Sequence, residues 1–294
     1  MAEVVRPRRS LLYMPASNDR ALEKARNLRA DGLIFDLEDA VAPASKVDAR
    51  NAAVDAASSG NYGKREIFVR VNALDTIWGM ADIAAVSRSN ADGVIIPKIR
   101  SPEDVNAAVV ALEGSCAPNT MRLWCMMETP IAVLNAAEIA GTSDRLSGFF
   151  AGTADLAKDL QSDHPADRAP MLYALQKIVL TARAFGLSVI DGVHVDLDDQ
   201  VGFKSSCHQG RAMGFDGKTL IHPKQIDLAN NIFSPSKKEI LQAKGVVSAS
   251  QEAKARGDGA TVYEGRLVEQ LHVEMAKHLV KQAEMIAEFD SDRG

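Results

Sequence analysis

Eight short apolar runs recur along the 294-residue chain, each followed by a longer amphipathic stretch. They are SLLYMP (10–15), GLIFDLED (32–39), EIFVRVN (66–72), DGVIIPK (92–98), LWCMMET (123–129), SGFFAGTAD (147–155), LSVIDGV (187–193) and DGKTLIHP (216–223). Between them lie segments such as NDRALEKARNLRA, SPEDVNAAVVALEG, IAVLNAAEIAG and PMLYALQKIVLTARAFG, which read as helices. Nearly continuous apolar strands that alternate with helices pair in parallel and have both sheet faces covered. Eight such units predict an α/β fold of the (β/α)₈ TIM-barrel type, which needs about 250 residues. The barrel is expected over 1–232 and a C-terminal helical lid extension over 233–294. In that extension FSPSKKEILQAKGVVSASQEAKARG reads as a helix capped by Ser234 or Ser236, DGATVYEGRLV as a loop or hairpin, and EQLHVEMAKHLVKQAEMIAEF as a closing amphipathic helix.

Charge and cysteine usage narrow the function classes. A net charge of -5 argues against a nucleic-acid or anionic-membrane surface. Cys116, Cys125 and Cys207 are far apart, odd in number and form no C-x-x-C pair, so neither a disulfide framework nor a thiolate zinc site is indicated. No apolar run approaches the roughly 20 residues of a membrane span, and MAEVVRPRRS lacks the apolar segment of a secretory signal. A reducing cytoplasm is the expected location.

Active sites of such barrels lie at the carboxyl ends of the strands. There the sequence puts Tyr13 and Pro15, Asp36 and Glu38, Arg70 and Asn72, then Lys98, Glu128, Asp155, Asp191 and His222. Glu128 and Asp155 end consecutive runs, and neighbouring strands stand about 4.8 Å apart, so the two carboxylates can meet on one ion. Hard oxygen ligands favour Mg²⁺, or Mn²⁺, over Zn²⁺. The competing reading is an ion network in which these acids pair with Arg70 or Lys98. Arg70 can grip a carboxylate bidentately or merely balance Asp36, Glu38 or Glu128. Lys98 raises a third possibility, a Schiff-base lysine. The His and Asp residues of SDHPADR (162–168) and VHVDLDD (193–199) read as loop or capping groups rather than a second metal site.

Taken together, RRSLLYMPASNDRALEKA, DGLIFDLEDAVAPASKVDAR, VRVN, METPIAVLNAAEIA, FFAGTADLAKDL and GFDGKTLIHPKQI resemble the citrate lyase β-subunit-like family, with malyl-CoA and citramalyl-CoA lyases among its relatives, over nearly the whole chain. The resemblance implies a Mg²⁺-dependent carbon–carbon lyase acting on a CoA thioester. It also implies a homotrimer or hexamer in which the lid reaches a neighbouring subunit's site. By position, Glu128 and Asp155 match the metal ligands and Arg70 the arginine that contacts the keto acid. Tyr13, Arg20, Lys24, Ile221 and His222 match positions that face CoA, and Asp36 and Glu38 would contribute to substrate binding by orienting Arg70 and metal-bound waters. Relatives of the acyl-CoA lyase type carry an aspartate in the lid where this chain has Glu269, which is expected to be the proton carrier. The expected reaction cleaves or condenses a 3-hydroxyacyl-CoA, giving acetyl-CoA and a 2-keto acid such as pyruvate or glyoxylate. The alternatives are a citrate lyase β subunit, a malyl-CoA thioesterase, an aldolase for free hydroxy-keto acids, and a non-catalytic binding barrel.

Overall fold

The structure is a computed structural model and describes residues 6–256 and 260–291. Eight parallel strands close into a barrel in sequence order: β1 (Ser10–Pro15), β2 (Gly32–Asp36), β3 (Glu66–Arg70), β4 (Gly93–Ile96), β5 (Arg122–Met127), β6 (Leu146–Ala151), β7 (Ser188–Asp191) and β8 (Gly217–Leu220). β8 closes the ring on β1 through Ser10 opposite Lys218. Helices cover the outside, so the chain is a (β/α)₈ barrel followed by a helical extension.

Alternation along each strand divides the apolar residues into two cores. Leu11, Ile34, Phe68, Ile95, Trp124, Met126, Phe150 and Ile190 fill the barrel interior. Their sequence neighbours, such as Leu12, Leu33, Val69 and Cys125, face the helices. Three aromatic rings form the floor of the interior: Trp124 lies 5.2 Å from both Phe68 and Phe150, and Phe68 lies 5.8 Å from Phe150. They fit because β6 has a glycine opposite the indole. A Cβ on Gly148 would lie 2.2 Å from Trp124 and 2.7 Å from the Ser188 carbonyl.

Arg8 closes the amino-terminal mouth. Its guanidinium sits 4.9 Å from the Trp124 ring, pairs with Glu66 at 2.7 Å and donates to Ser188 Oγ at 2.7 Å. Since Glu66 begins β3 and Ser188 begins β7, one side chain ties opposite walls of the barrel together. The floor is therefore sealed, and any ligand has to enter at the carboxyl ends.

Most strands stop short of the apolar runs that predict them. β2 ends at Asp36, β4 at Ile96 and β8 at Leu220, because the following residues turn into the rim loops. Asp155 is corrected by this: it lies in the first turn of the helix Thr153–Asp159 rather than on β6. The helix expected through IAVLNAAEIAG is split into Pro130–Leu134 and Ala136–Ala140. Asn135 stands at the break, its side-chain amide donating to the Arg100 carbonyl at 3.0 Å, a local bond of the kind that competes with helix continuation.

The described residues divide into two compact units, Arg8–Phe233 and a second made of Arg6 and Pro7 with the described residues from Ser234 onward. In the second unit, helix Lys237–Arg256 is capped reciprocally by Ser236 and Glu239, and it packs on helix Gln270–Ser291. The segment between them forms the hairpin Thr261–Tyr263/Arg266–Val268, turning through Glu264 and Gly265 with φ of 48° and 75°. Among the described residues no helix is long and apolar enough to cross a membrane.

Gly148→Ala should destabilise the chain by about 1–3 kcal/mol through overpacking against Trp124. Chemical denaturation measures this, and an unchanged midpoint would mean that the aromatic floor is looser than described.

Candidate active site

The interior parity of the strands continues past their ends and selects which polar side chains face the mouth. Beyond Ile34 it gives Asp36, beyond Phe68 it gives Arg70, and beyond Trp124 and Met126 it gives Glu128. These residues, with Tyr13, Asp155 and Ile221, line a cavity of about 380 Å³ at the carboxyl ends of the strands.

Glu128 follows β5 directly and precedes Thr129, whose hydroxyl caps the next helix by accepting from the Ala132 amide at 3.1 Å. The strand therefore ends where the carboxylate is needed, and only 1% of Glu128 is exposed. Its Oε1 accepts from the Lys98 backbone amide at 2.7 Å. Lys98 presents that amide from the left-handed region, with φ of 54°, a conformation a non-glycine residue adopts at a cost of about 1 kcal/mol or more. The same residue's ammonium lies 2.6 Å from Asp155 Oδ2 and 3.6 Å from Glu128 Oε1. Gly152 permits this crowding, since a Cβ there would lie 2.3 Å from Glu128 Cβ and 2.7 Å from Oε2.

Burial pushes the Glu128 carboxyl up from its ordinary value, opposed by Lys98. For Lys98 burial acts downward, but the combined pull of Glu128, Asp155 and Glu38 outweighs it and the ammonium is held above its ordinary value. Lys98 was weighed from sequence as a carbonyl nucleophile or an ion-pair partner. The structure realises the ion pair, and the ammonium is the charged form, not the free amine that imine formation needs.

Arg70 is held on several sides. Its Nε and Nη2 each donate to Asp36 at 2.7 Å, a bidentate fork. Its guanidinium also lies 4.8 Å from the Tyr13 ring centre, a cation–π contact. Nη1 approaches Glu38 Oε2 at 3.0 Å without hydrogen-bond alignment, so that buried oxygen has close charge contact but no aligned donor. Asp36 in turn accepts from the amides of Glu38 and Ala40, which fixes the loop after β2. Burial pushes the Glu38 carboxyl up to about 8, against the pull of Arg70. Burial likewise raises the Tyr13 phenol, whose hydroxyl points to Met126 sulfur at 3.6 Å.

The residues expected to face CoA are divided. Tyr13 lines the mouth, its ring against the Arg70 guanidinium. Arg20 and Lys24 are exposed on the short helix Asp19–Ala25, and neither forms an ion pair with another described residue. The amides of Ile221 and His222 both point to Gln225 Oε1, at 3.0 and 3.3 Å, which leaves the Ile221 side chain to line the cavity. In the second unit Glu269 is exposed ahead of helix Gln270–Ser291, its backbone amide donating to His272 Nδ1 at 3.0 Å.

Two residues of the expected polar crown belong elsewhere. Asp191 has the outward parity of Val189 and is bound between Arg168 at 2.6 Å and Lys218 at 2.9 Å, a buried network that joins the barrel wall to its helices. Asn72 donates to Asp82 at 2.6 Å. In the loop after β7, Asp199 caps the helix Gln200–Met213 through the Gly202 amide, the capping role expected of that stretch.

Among the described residues no group of three or more His, Cys, Asp or Glu side chains could hold a metal. The Glu128–Asp155 pair nevertheless fits a hard divalent cation that retains water. It offers two oxygen donors beside an open cavity, one carboxylate is buried with a cation already drawn to it, and the glycine between them leaves the necessary room.

The barrel, its sealed floor and this acid-lined mouth define a (β/α)₈ protein of the aldolase and lyase kind, and the chain belongs to the HpcH/HpaI aldolase/citrate lyase family, whose model matches residues 9–223. Among its relatives, the (3S)-malyl-CoA thioesterase of Cereibacter sphaeroides (strain KD131 / KCTC 12085) is 47% identical over 289 residues, covering 98% of this chain and 99% of the relative. The citrate lyase subunit beta of Escherichia coli (strain K12) is 35% identical over 285 residues, covering 95% of this chain and 94% of the relative. Among solved structures, the protein CitE from Mycobacterium tuberculosis in complex with magnesium, acetoacetate and coenzyme A matches with a TM-score of 0.77 at 30% identity, covering 96% of this chain and 99% of that one.

Glu38 gives the site a pH signature. Its folded-state value of about 8 lies above the ordinary 4.5, so the native chain keeps a proton that the unfolded chain gives up between those values. Stability is therefore lost as pH rises through that window. Glu38→Gln should flatten the fall in stability between pH 5 and pH 8, as read by urea denaturation in EDTA. A fall as steep as that of the parent chain would show that Glu38 is not the group concerned.

Proposed function

We propose that the chain is a Mg²⁺-dependent lyase that cleaves, or in reverse condenses, a 3-hydroxyacyl-CoA of the malyl or citramalyl type. The observation that carries this reading is the buried Glu128 paired across Gly152 with Asp155 at the mouth of the sealed barrel. Support comes from membership of an aldolase/citrate lyase family and from the CitE relative, whose structure contains magnesium and coenzyme A.

Glu128 and Asp155 would hold the ion, which when bound supplies Lewis-acid polarisation of the substrate's oxygens. Arg70 presents fixed positive charge on the adjoining wall. Its fork to Asp36 and its contact with Tyr13 hold the guanidinium in place before substrate arrives, which lowers the reorganisation needed as charge develops. Cleavage takes the proton from the carbinol hydroxyl and breaks the bond between the carbinol carbon and the acetyl unit. The bonding pair leaves with the thioester as an enolate, the keto acid's carbonyl forms, and a proton is returned to the enolate carbon. Glu269 from the extension of a neighbouring subunit in a homo-oligomer is the proposed carrier of that last proton. Arg20 and Lys24, four residues apart on one helix face, are the proposed contacts for the CoA phosphates. The free cysteines suit a reducing cytoplasm.

A second reading has a specific observation behind it. Relatives of 46–47% identity over nearly the whole chain are named (3S)-malyl-CoA thioesterase. In that reading water attacks the thioester carbonyl and free CoA thiol leaves. Products separate the two: lyase action on malyl-CoA or citramalyl-CoA yields a keto acid and no new thiol, whereas hydrolysis yields a thiol and no keto acid.

Glu128→Gln should reduce Mg²⁺-dependent turnover by about 100-fold or more. A purified Glu128→Gln chain with full Mg²⁺-dependent activity would remove the proposed metal site. Purified chain with Mg²⁺ that turned over none of these thioesters would remove the substrate assignment.

A further inference from the structure

We infer that Lys98 is a built-in competitor for the divalent cation: its ammonium bridges the two proposed metal-binding carboxylates and has to leave them when the cation binds. This rests on the proposed Glu128–Asp155 metal site and assigns that site a regulatory partner from the chain itself.

Three observations carry it. The first is position, since the Lys98 ammonium is 2.6 Å from Asp155 and 3.6 Å from Glu128, so one cationic group serves both carboxylates. The second is the backbone. Lys98 adopts φ of 54°, and its amide donates to Glu128 Oε1 at 2.7 Å, so the residue is held beside the acids by its main chain whatever its side chain does. The third is a place for the side chain to go. Lys98 also lines a second, open cavity of about 620 Å³ with Asp75, Arg100, Thr129, Lys158 and Asp159, residues of the segments that follow β3 to β6. The side chain is 35% exposed, whereas Glu128 is 1% exposed, so the ammonium is the movable partner of the pair.

The physical consequence is linkage. A site that one ligand must vacate before another can bind has its apparent affinity reduced by the fraction of molecules in which it is open. The ammonium keeps Glu128 compensated while no cation is bound and lowers the affinity for the cation in return. The adjoining cavity offers the displaced ammonium the carboxylates of Asp75 and Asp159 beside the cations Arg100 and Lys158, a lining of mixed charge that holds it less firmly than Glu128 and Asp155 do.

Lys98→Met deletes the ammonium and keeps both the amide that binds Glu128 and the demand for left-handed backbone, whereas glycine would relieve that demand and confuse the comparison. Mg²⁺ alone is titrated calorimetrically into parent chain and variant, both stripped with EDTA and dialysed. The expected result is Mg²⁺ binding about tenfold tighter in Lys98→Met, as follows if the parent site is open in roughly a tenth of molecules. Lys98→Arg, which retains the charge, should remain near the parent. Melting temperature is the second readout: in EDTA Lys98→Met should melt below the parent, and saturating Mg²⁺ should raise its melting temperature by more. Parent chain that binds Mg²⁺ while Lys98→Met binds it equally or more weakly overturns the competition and leaves the metal site standing. Absence of Mg²⁺ binding in every variant overturns the metal site itself. Should Lys98→Met not fold, Lys98→Gln is read by the same titration.

Discussion

A carboxylate that is 1% exposed at the end of an apolar strand cannot remain charged without a cation nearby, and Glu128 imposes that condition on everything around it. The chain meets it with Lys98, whose amide and ammonium both turn to the acids, and with Gly152, where any side chain would collide. Removing the half-exposed Lys98 leaves the buried Glu128 charge uncompensated, so its loss costs more than the pair itself contributes. The arrangement is therefore better understood as a device for keeping a charged site ready than as a source of stability.

Arg70 forms the second half of the same design. On the wall adjoining the acids it is clamped by Asp36 and Tyr13, and Asp36 is itself held by two loop amides. Of the two sequence readings, gripping a ligand or balancing neighbouring acids, the structure realises the second while keeping the guanidinium on the cavity wall. The two roles are compatible: an arginine fixed by its own carboxylate keeps its position when a ligand arrives. The cost is competition, since the donors that face Asp36 are already engaged.

Much of this was legible because strand parity is a local rule. The runs that begin at Ser10, Gly32 and Glu66 start as the sequence predicts, and counting by twos from Ile34, Phe68 and Trp124 leads to Asp36, Arg70 and Glu128. Strand ends were less legible. The polar residues after Ile96 and Ala151 continue an extended-looking pattern, so Asp155 read as a strand residue although Gly152 already turns the chain into a helix. Asp191 was misplaced for a different reason, as its outward parity becomes visible only once Arg168 and Lys218, distant in sequence, are seen to enclose it. The left-handed backbone of Lys98 had no signal at all, because nothing in DGVIIPK marks a residue that takes this conformation while donating its amide to a carboxylate thirty residues away. In the extension, the Ser236 cap and the hairpin turn at Gly265 are local signatures and were readable as such.

A divalent cation shared by Glu128 and Asp155 is the proposal on which the chemistry of the mouth depends. Its most direct test is an anomalous difference map from crystals of the chain grown with Mn²⁺. A shared cation gives a single peak between the two carboxylates, with the Lys98 ammonium moved away from Asp155. Carboxylates still bridged by the ammonium, with manganese bound elsewhere or absent, would contradict it.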